Sequence, residues 1–259
     1  MTVSARHQTW APVVSSREVA PSIFELVVRA PQIAAAAKPG QFVHLRVRES
    51  FDPLLRRPLS IGFVEGGTIG LLYRLLGHGT RILSEAVAGE PLDLLGPLGS
   101  PFTLHADRPA VMVAGGLGIA DFPFLAEQLR AAGCPRMDLL YGARTEPELA
   151  WLERVQAEGA AVHPTTDDGS MGHQGPCTDL LPALVGGARV PPAIYACGPE
   201  PMFRAILRLI TDPTVPIQLA HEQRMGCGFG ACIACSVETN QGYLRACTEG
   251  PVFDGALFR

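Results

Sequence analysis

The chain has 259 residues, 47% hydrophobic and 18% charged, with a net charge of −4 and an isoelectric point near 6.0. That length and apolar content allow two ordinary domains plus a small appendage. The acidic balance argues against a nucleic-acid partner. The lack of polybasic runs and of apolar stretches of ~18 residues argues against a membrane, and the N-terminus lacks a secretory apolar segment, so a cytoplasmic compartment is expected.

Residues 8–105 read as strand-rich. Short β-branched or alternating runs at 23–29, 41–47, 59–64, 68–75 and 90–95 are punctuated by Lys38-Pro39-Gly40, Glu65-Gly66-Gly67 and Gly77-His78-Gly79. Many short strands with Gly and Pro turns predict a small antiparallel barrel or sandwich. A helix is expected over 80–87, with Thr80 as its N-cap and Gly89 beyond its end. Arg56-Arg57-Pro58-Leu59-Ser60 places cations beside a strand that then carries a hydroxyl, which suits a phosphate and a planar ring; solvated surface is the other reading. Leu72-Tyr73-Arg74 leads through Gly77 and Gly79 to Thr80, where glycines open a helix and could receive a pyrophosphate, or form an ordinary loop.

Residues 106–216 change period. An apolar run at 110–114 enters Gly115-Gly116-Leu117-Gly118, and a helix is expected over 122–132. Strand, glycine turn and helix in this order form the phosphate-binding start of a dinucleotide fold. The alternation continues with strands at 137–142, 160–165 and 193–197 and helices at 146–159, 180–185 and up to 210, implying a parallel sheet covered on both faces. Asp121 stands at the end of the glycine turn, where a carboxylate would suit the helix dipole but could repel a pyrophosphate. Cys197-Gly198-Pro199 ends the last of these strands; a buried strand-end thiol is its plain reading. Cys134 and Cys177 fit no pattern and read as incidental thiols.

Residues 217–259 hold Cys227, Cys232, Cys235 and Cys247, spaced C-x4-C-x2-C-x11-C. The first three have the plant-type 2Fe-2S spacing, and Gly226, Gly228 and Gly230 allow a loop to wrap inorganic sulfur. A structural zinc site would pair two short knuckles, and only one is present; a disulfide framework does not suit an odd cysteine count in a chain this long. A hairpin turning at Asn240-Gln241-Gly242 would return Cys247 to the other three. So small a piece needs metal ligation to organise it. His221 fits no metal knuckle and reads as surface or interface.

Arg57-Pro58-Leu59-Ser60, Leu72-Tyr73-Arg74 and Gly79-Thr80 resemble the FAD-binding barrel of the ferredoxin reductase superfamily. The resemblance implies that Arg57 and Thr80 hold the pyrophosphate, that Ser60 lies by flavin N5, and that Leu72, Tyr73 and Arg74 cover the ring and ribityl. It further implies that residues 96–102 close the barrel as a hinge, that Gly115, Gly116 and Gly118 bind NAD, and that Cys197, Gly198 and Pro199 face the nicotinamide. Glu222 would have a hydrogen-bonding structural role. Asp121 replaces that family's usual proline. The order of flavin barrel, Rossmann-like NAD sheet and small C-terminal 2Fe-2S lobe is similar to the electron-transfer subunits of class 1B dihydroorotate dehydrogenases. A β plus α/β fold in three parts, 1–105, 106–216 and 217–259, is therefore expected, with Cys227, Cys232, Cys235 and Cys247 as metal ligands. Electrons would pass from the FMN of a catalytic dihydroorotate dehydrogenase subunit through the cluster and FAD to NAD, in a heterotetramer of two plus two. No acid–base residue for dihydroorotate is evident in this chain. The alternatives are a flavin/iron–sulfur subunit of another NAD(P)H complex, of the sulfhydrogenase gamma or ferredoxin transhydrogenase type, and an assembly subunit whose NAD site is dead.

Overall fold

The computed structural model describes residues 6–186 and 189–259; the first five residues of the N-terminal stretch read for a leader lie outside the described residues. Six antiparallel strands close a barrel in the order β1-β2-β5-β4-β3-β6: β1 (His7–Ala20), β2 (Ile23–Arg29), β3 (Phe42–Arg46), β4 (Arg57–Glu65), β5 (Thr68–Arg74) and β6 (Pro91–Leu98). Closure removes the open edges that would otherwise template association. The strand β1 had no counterpart among the expected strands: its apolar residues are interrupted by polar ones, and bulges in its pairing with β2 break the period. A short helix α1 (Pro31–Ala36) packs Ile33 into the barrel core. The helix expected over 80–87 is α2 (His78–Ser84), and Thr80 lies inside it rather than at its cap.

The second unit is a seven-stranded sheet in the order β10-β9-β8-β7-β11-β12-β15. Its strands are β7 (Ala110–Gly115), β8 (Met137–Ala143), β9 (Ala161–Thr166), β10 (His173–Gln174), β11 (Ala193–Cys197), β12 (Ile217–Ala220) and β15 (Val252–Asp254). All neighbours pair in parallel except β12 with β15. Every residue of β11 is buried, as in a sheet covered on both faces. The covering helices are α3 (Phe122–Ala131), α4 (Leu152–Ala157), α5 (Leu181–Gly186) and α6 (Glu200–Leu209). A single helix over 146–159 was expected. Instead a 3-10 turn, Glu146–Glu148, precedes α4, and Trp151 at φ 60° breaks the helix between them. Trp151 is drawn into the barrel junction, where its Nε1 donates to buried Glu25 at 2.8 Å.

The sheet runs past residue 216. Both β12 and β15 hydrogen-bond to it, so the cluster segment is an excursion from the sheet's edge, with its own hairpin β13 (Ser236–Thr239) and β14 (Gly242–Arg245). His221 is correspondingly not at the surface: it is 6% exposed and stacked on Phe258 at 4.5 Å. No helix among the described residues is long and apolar enough to cross a membrane.

The 3-10 turn Gly116–Asp121 is the joint between the two units, packed on β4, β5 and β11. A Cβ on Gly118 would lie 1.9 Å from the Cys197 carbonyl oxygen, and one on Gly62 would lie 2.8 Å from that of Ala120. Both opposing atoms are backbone and cannot rotate away. Gly118→Ala is thus expected to destabilise the chain by about 1–3 kcal/mol through overpacking. Thermal unfolding checks this; an unchanged melting temperature would mean the joint is looser than it looks.

Candidate functional site

Three arrangements meet at this joint. The first is on the barrel. Arg56 and Arg57 are adjacent in sequence but divide between two jobs, Arg56 in the loop just before β4 and Arg57 as its first residue. Arg56 turns in and forms an ion pair with buried Asp93, while its Nη1 donates to the Asp93 and His44 carbonyls at 2.9 and 3.2 Å. Arg57 has no carboxylate partner among the described residues; it donates to the Leu55 carbonyl and lies flat on Gly79, where a Cβ would come within 2.2 Å of its guanidinium. A cation held against the backbone of a glycine turn and not neutralised by protein fits a pyrophosphate. Thr80 differs from expectation: its hydroxyl accepts from the Leu76 and Gly77 amides at 2.9 and 3.1 Å and donates to the Gly77 carbonyl at 3.1 Å. It shapes the turn and has no proton left for a ligand. Leu72 and Tyr73 are also buried, Tyr73 stacked on Phe24, so both side chains belong to the core rather than to an open surface.

The second arrangement is a cleft of about 790 Å³ along the C-terminal edge of the parallel sheet. Gly115, Gly116, Pro199 and Met202 line it together with Arg74, and Gly198 joins Gly115 and Pro199 in a contiguous cleft of about 420 Å³. Crevices outside the carboxyl ends of parallel strands are where nucleotides bind. Glu148 was not anticipated. It takes Arg74 of the barrel at 3.1 Å and Arg144 of the sheet at 2.7 Å, so it ties the two units across the cleft. Its carboxylate stays below the ordinary range despite partial burial, because both guanidinium groups bond to it. Cys177 also lines this cleft, buried at its floor, so it is not the featureless thiol the sequence suggests.

Where barrel and cleft meet, Ser60 from β4 and Cys197 from β11 converge on Asp121. Asp121 occupies the N-cap position of α3 but makes no side-chain capping bond, and it is 3% exposed inside the joint. Burial pushes its carboxyl up, against the lowering effect of Cys197 and Ser60. Burial likewise raises the Cys197 thiol well above the usual range, and the neighbouring Asp121 adds to it. Glu222 reaches solvent in the cleft yet is crowded by protein, and that crowding, with Asp121 nearby, raises it as well.

The third arrangement is the cysteine loop. The Ala231 amide donates to Cys227 Sγ at 3.2 Å and the Cys227 amide to Cys232 Sγ at 3.3 Å. Gly228 and Gly230 have φ of 79° and 96°, the left-handed backbone that aims successive amides inward. Burial opposes ionisation of Cys227, but the Phe229, Cys232 and Ala231 amides overcome it and bring the thiol down to about 6. Cys247 is pushed up to about 12 by burial and by the adjacent Cys235 sulfur. Cys227 and Cys232 are joined through the Cys227 amide, and the Cys247 thiol is raised by Cys235 and also by Cys227. Among the described residues no three His, Cys, Asp or Glu side chains converge on one point as ligands of a single ion. Amides aimed at the Cys227 and Cys232 sulfurs, with the C-x4-C-x2-C spacing, suit an iron–sulfur cluster better than a two-knuckle zinc site. The loop is braced by Arg245, whose Nη1 donates to the Gly230 carbonyl at 3.0 Å while Glu249 holds its other side at 2.6 Å.

The loop also touches the barrel. His44, fully buried on β3, donates from Nδ1 to the Cys227 carbonyl at 3.3 Å, and Gly228 lies flat on its ring. Ser100 Oγ donates to the Glu249 carbonyl at 3.0 Å, and its amide donates to the Gly250 carbonyl at 2.6 Å. Residues 96–102 therefore bind the cluster segment to the barrel rather than serving as a free hinge. None of His44, Glu148 or Arg245 has a local motif; their roles come from contacts across long sequence separations.

Residues 222–258 match the family described as the iron–sulfur cluster binding domain of dihydroorotate dehydrogenase B. Over 94% of its length the chain is 40% identical to the dihydroorotate dehydrogenase B (NAD(+)) electron transfer subunit of Desulforamulus reducens, covering 95% of that protein. It is 37% identical to the subunit of the same name from Enterococcus faecalis, with 96% and 97% of the two chains covered. A solved NADH-dependent reduced ferredoxin–NADP oxidoreductase superposes with a TM-score of 0.86 at 28% identity, covering 97% of this chain and 90% of that one. A ferredoxin NADP+ reductase from Neisseria gonorrhoeae with bound FAD and NADP shares the fold at 19% identity, with a TM-score of 0.67 over 80% of this chain and 92% of that one.

Proposed function

This chain belongs to the family of dihydroorotate dehydrogenase B (NAD(+)) electron transfer subunits, and from that premise we infer that it carries electrons from a dihydroorotate-oxidising partner to NAD+ in pyrimidine biosynthesis. FAD supplies the exchange between single electrons and electron pairs, and the 2Fe-2S cluster supplies single-electron carriage. Cys227, Cys232, Cys235 and Cys247 would hold the cluster, and the loop amides would offset the negative charge of the thiolates. Arg57 holds the FAD pyrophosphate against the Gly79 turn. Ser60 on β4 and Leu72, Tyr73 and Arg74 on β5 would line the flavin ring. Gly115 and Gly116 set the sheet edge on which the NAD diphosphate would rest, with Gly118 packed behind them on the Cys197 carbonyl, and Gly198 and Pro199, with Cys197 buried behind them, would form the nicotinamide wall.

The observation that carries this reading is the packing of the Gly116–Asp121 turn between β4, which carries Ser60, and β11, which ends at Cys197, with Gly62 close against the Ala120 carbonyl and Gly118 against that of Cys197. Two rings seated on those walls would face each other, as hydride exchange requires. The position of Asp121 inside the joint also removes the one feature that favoured an assembly subunit with a dead NAD site. Phe229 and Ile233 stand exposed on the cysteine loop, an apolar face suited to a catalytic subunit that delivers electrons there. We place that assembly, two catalytic and two electron-transfer subunits, in the cytoplasm.

The test is anaerobic mixing of the purified, yellow-brown protein with NADH. Rapid bleaching of the flavin absorbance is expected, followed by reduction of the cluster. A flavin that NADH cannot bleach would end the electron-transfer reading. Affinity capture from the native cell is expected to recover a dihydroorotate-oxidising subunit in equal amount.

A further inference from the structure

One segment of the nucleotide unit, residues 148–154, grips the barrel on three strands. Glu148 takes Arg74 of β5 at 3.1 Å. Arg154 of α4 takes Glu25 of β2 at 3.1 Å and Glu65 of β4 at 3.3 Å, with its guanidinium 3.9 Å from the centroid of the Phe63 ring. Between them Trp151 is buried. Its Nε1 donates to Glu25 Oε2 at 2.8 Å, and its six-membered ring fills a notch at Gly62, where a Cβ would lie 2.4 Å from Trp151 Cζ3. Gly62 stands two residues after Ser60 on β4, so the notch is cut in the strand that opens with Arg57. Glu25 is 2% exposed and divided between the units. Its Oε1 is held from the barrel side by Arg17 Nε at 2.9 Å, and its Oε2 is given to Trp151 and Arg154. The backbone of Trp151 lies at φ 60° and ψ 13°, a left-handed conformation that bulky residues rarely adopt. Such strain persists only where the surroundings over-determine it, and it collects where a side chain must be held in place. Here it breaks the helix expected over 146–159 and lets the indole reach β2 and β4.

We propose that Trp151 is a positioning residue: lodged in the Gly62 notch and bound to Glu25, it fixes the distance and angle at which the nucleotide unit sits over β4. The proposal rests on the electron-transfer reading above. Chemistry between one molecule seated on the barrel and another seated on the sheet depends on the placement of the two units, and a shift of about 1 Å costs about 100-fold in rate. The Arg74–Glu148 and Arg154–Glu65 pairs join the units through long, flexible side chains, which leave slack. The indole is rigid, buried, aimed by one directional hydrogen bond and stopped by the backbone of one glycine. Trp151 itself lines neither part of the cleft. Its loss therefore removes no nucleotide contact and changes only how the units are set against each other.

Two variants separate positioning from mere packing: Trp151→Phe, which removes the donor and shortens the ring, and Arg154→Gln, which loosens the outer grip but leaves the indole in place. On anaerobic mixing with NADH, the limiting rate of flavin bleaching is expected to fall about 100-fold in Trp151→Phe, while the NADH concentration giving half that rate moves less than about threefold. Arg154→Gln is expected to stay within about threefold of the wild-type limiting rate. A Trp151→Phe protein with a lower melting temperature but an unchanged limiting rate overturns the proposal, as does an equal loss of rate in Arg154→Gln. A second measurement needs no change at Trp151. The chain has two tryptophans, and Trp10 is exposed, so Trp10→Phe leaves Trp151 as the only indole. Its emission maximum is expected to be that of a buried indole and to stay there when NAD+ is added. A shift to the red on adding NAD+ would mean that the ring leaves the notch as nucleotide binds, and the proposal fails. Should Trp151→Phe not fold, this emission decides alone. A wild-type flavin that NADH cannot bleach would instead sink the underlying function, and the emission would still report whether Trp151 is the fixed stop.

Discussion

Cys232→Ser is expected to strip the cluster from the chain while dye reduction by NADH continues. Iron is held by thiolate, and a serine hydroxyl does not ionise at neutral pH, so one iron of the pair would keep a single protein ligand on its side. The effect should stay local. Cys232 is exposed, so replacing sulfur with oxygen opens no cavity, while the barrel and sheet retain their own cores. Flavin and NAD chemistry would then survive without its single-electron outlet. Iron and acid-labile sulfide content, together with the paramagnetic signal of the reduced protein, measure the loss. A cluster present in full amount in Cys232→Ser would disprove the ligand assignment. Cys134→Ser is the control and is expected to retain the brown colour, since Cys134 lies at the other side of the sheet, bonded to the Arg108 and Arg136 carbonyls.

Arg57→Ala is expected to weaken FAD binding about 10- to 100-fold. The guanidinium is the uncompensated cation at the Gly79 turn, and a charge-assisted hydrogen bond to phosphate is worth about 1.5–3 kcal/mol. Flavin retained after desalting and a fluorescence titration of the apoprotein measure it. The neighbouring Arg56→Ala should behave differently. It leaves Asp93 buried with only Gln8 donating to it, at 3.1 Å, and removing one partner of a buried pair costs about 3–5 kcal/mol. The expected result is a lower melting temperature in apoprotein and holoprotein alike. If Arg56→Ala lost flavin at an unchanged melting temperature while Arg57→Ala kept it, the two assignments would have to be exchanged.

Much of the architecture was legible because it is local. The runs at 23–29 and 193–197 recur as β2 and β11 over the same residues, since continuous β-branched and apolar segments bounded by turns have few alternatives. The helix after the glycine turn begins at Phe122 as expected. The strands β1, β12 and β15 were missed: bulges blur the first, and the other two are short pieces that become strands only because a sheet edge is there to receive them. The break before α4 was missed for the same kind of reason, because Trp151 gains a partner 126 residues away.

The cysteine spacing pointed to the cluster, and the family resemblance of the short barrel and glycine-turn motifs to FAD and NAD, because ligand spacing and a glycine turn are properties of a few adjacent residues. What the tertiary structure alone decided is the charge state and company of single side chains. It turned Arg56 inward and left Arg57 free, gave Glu148 to two arginines from different units, and drove Asp121 into the joint beside Ser60 and Cys197. Each of these outcomes depends on what lies opposite in space. The energy of a charge is set by the solvent it loses and the partners it meets, and neither is written in the residues beside it.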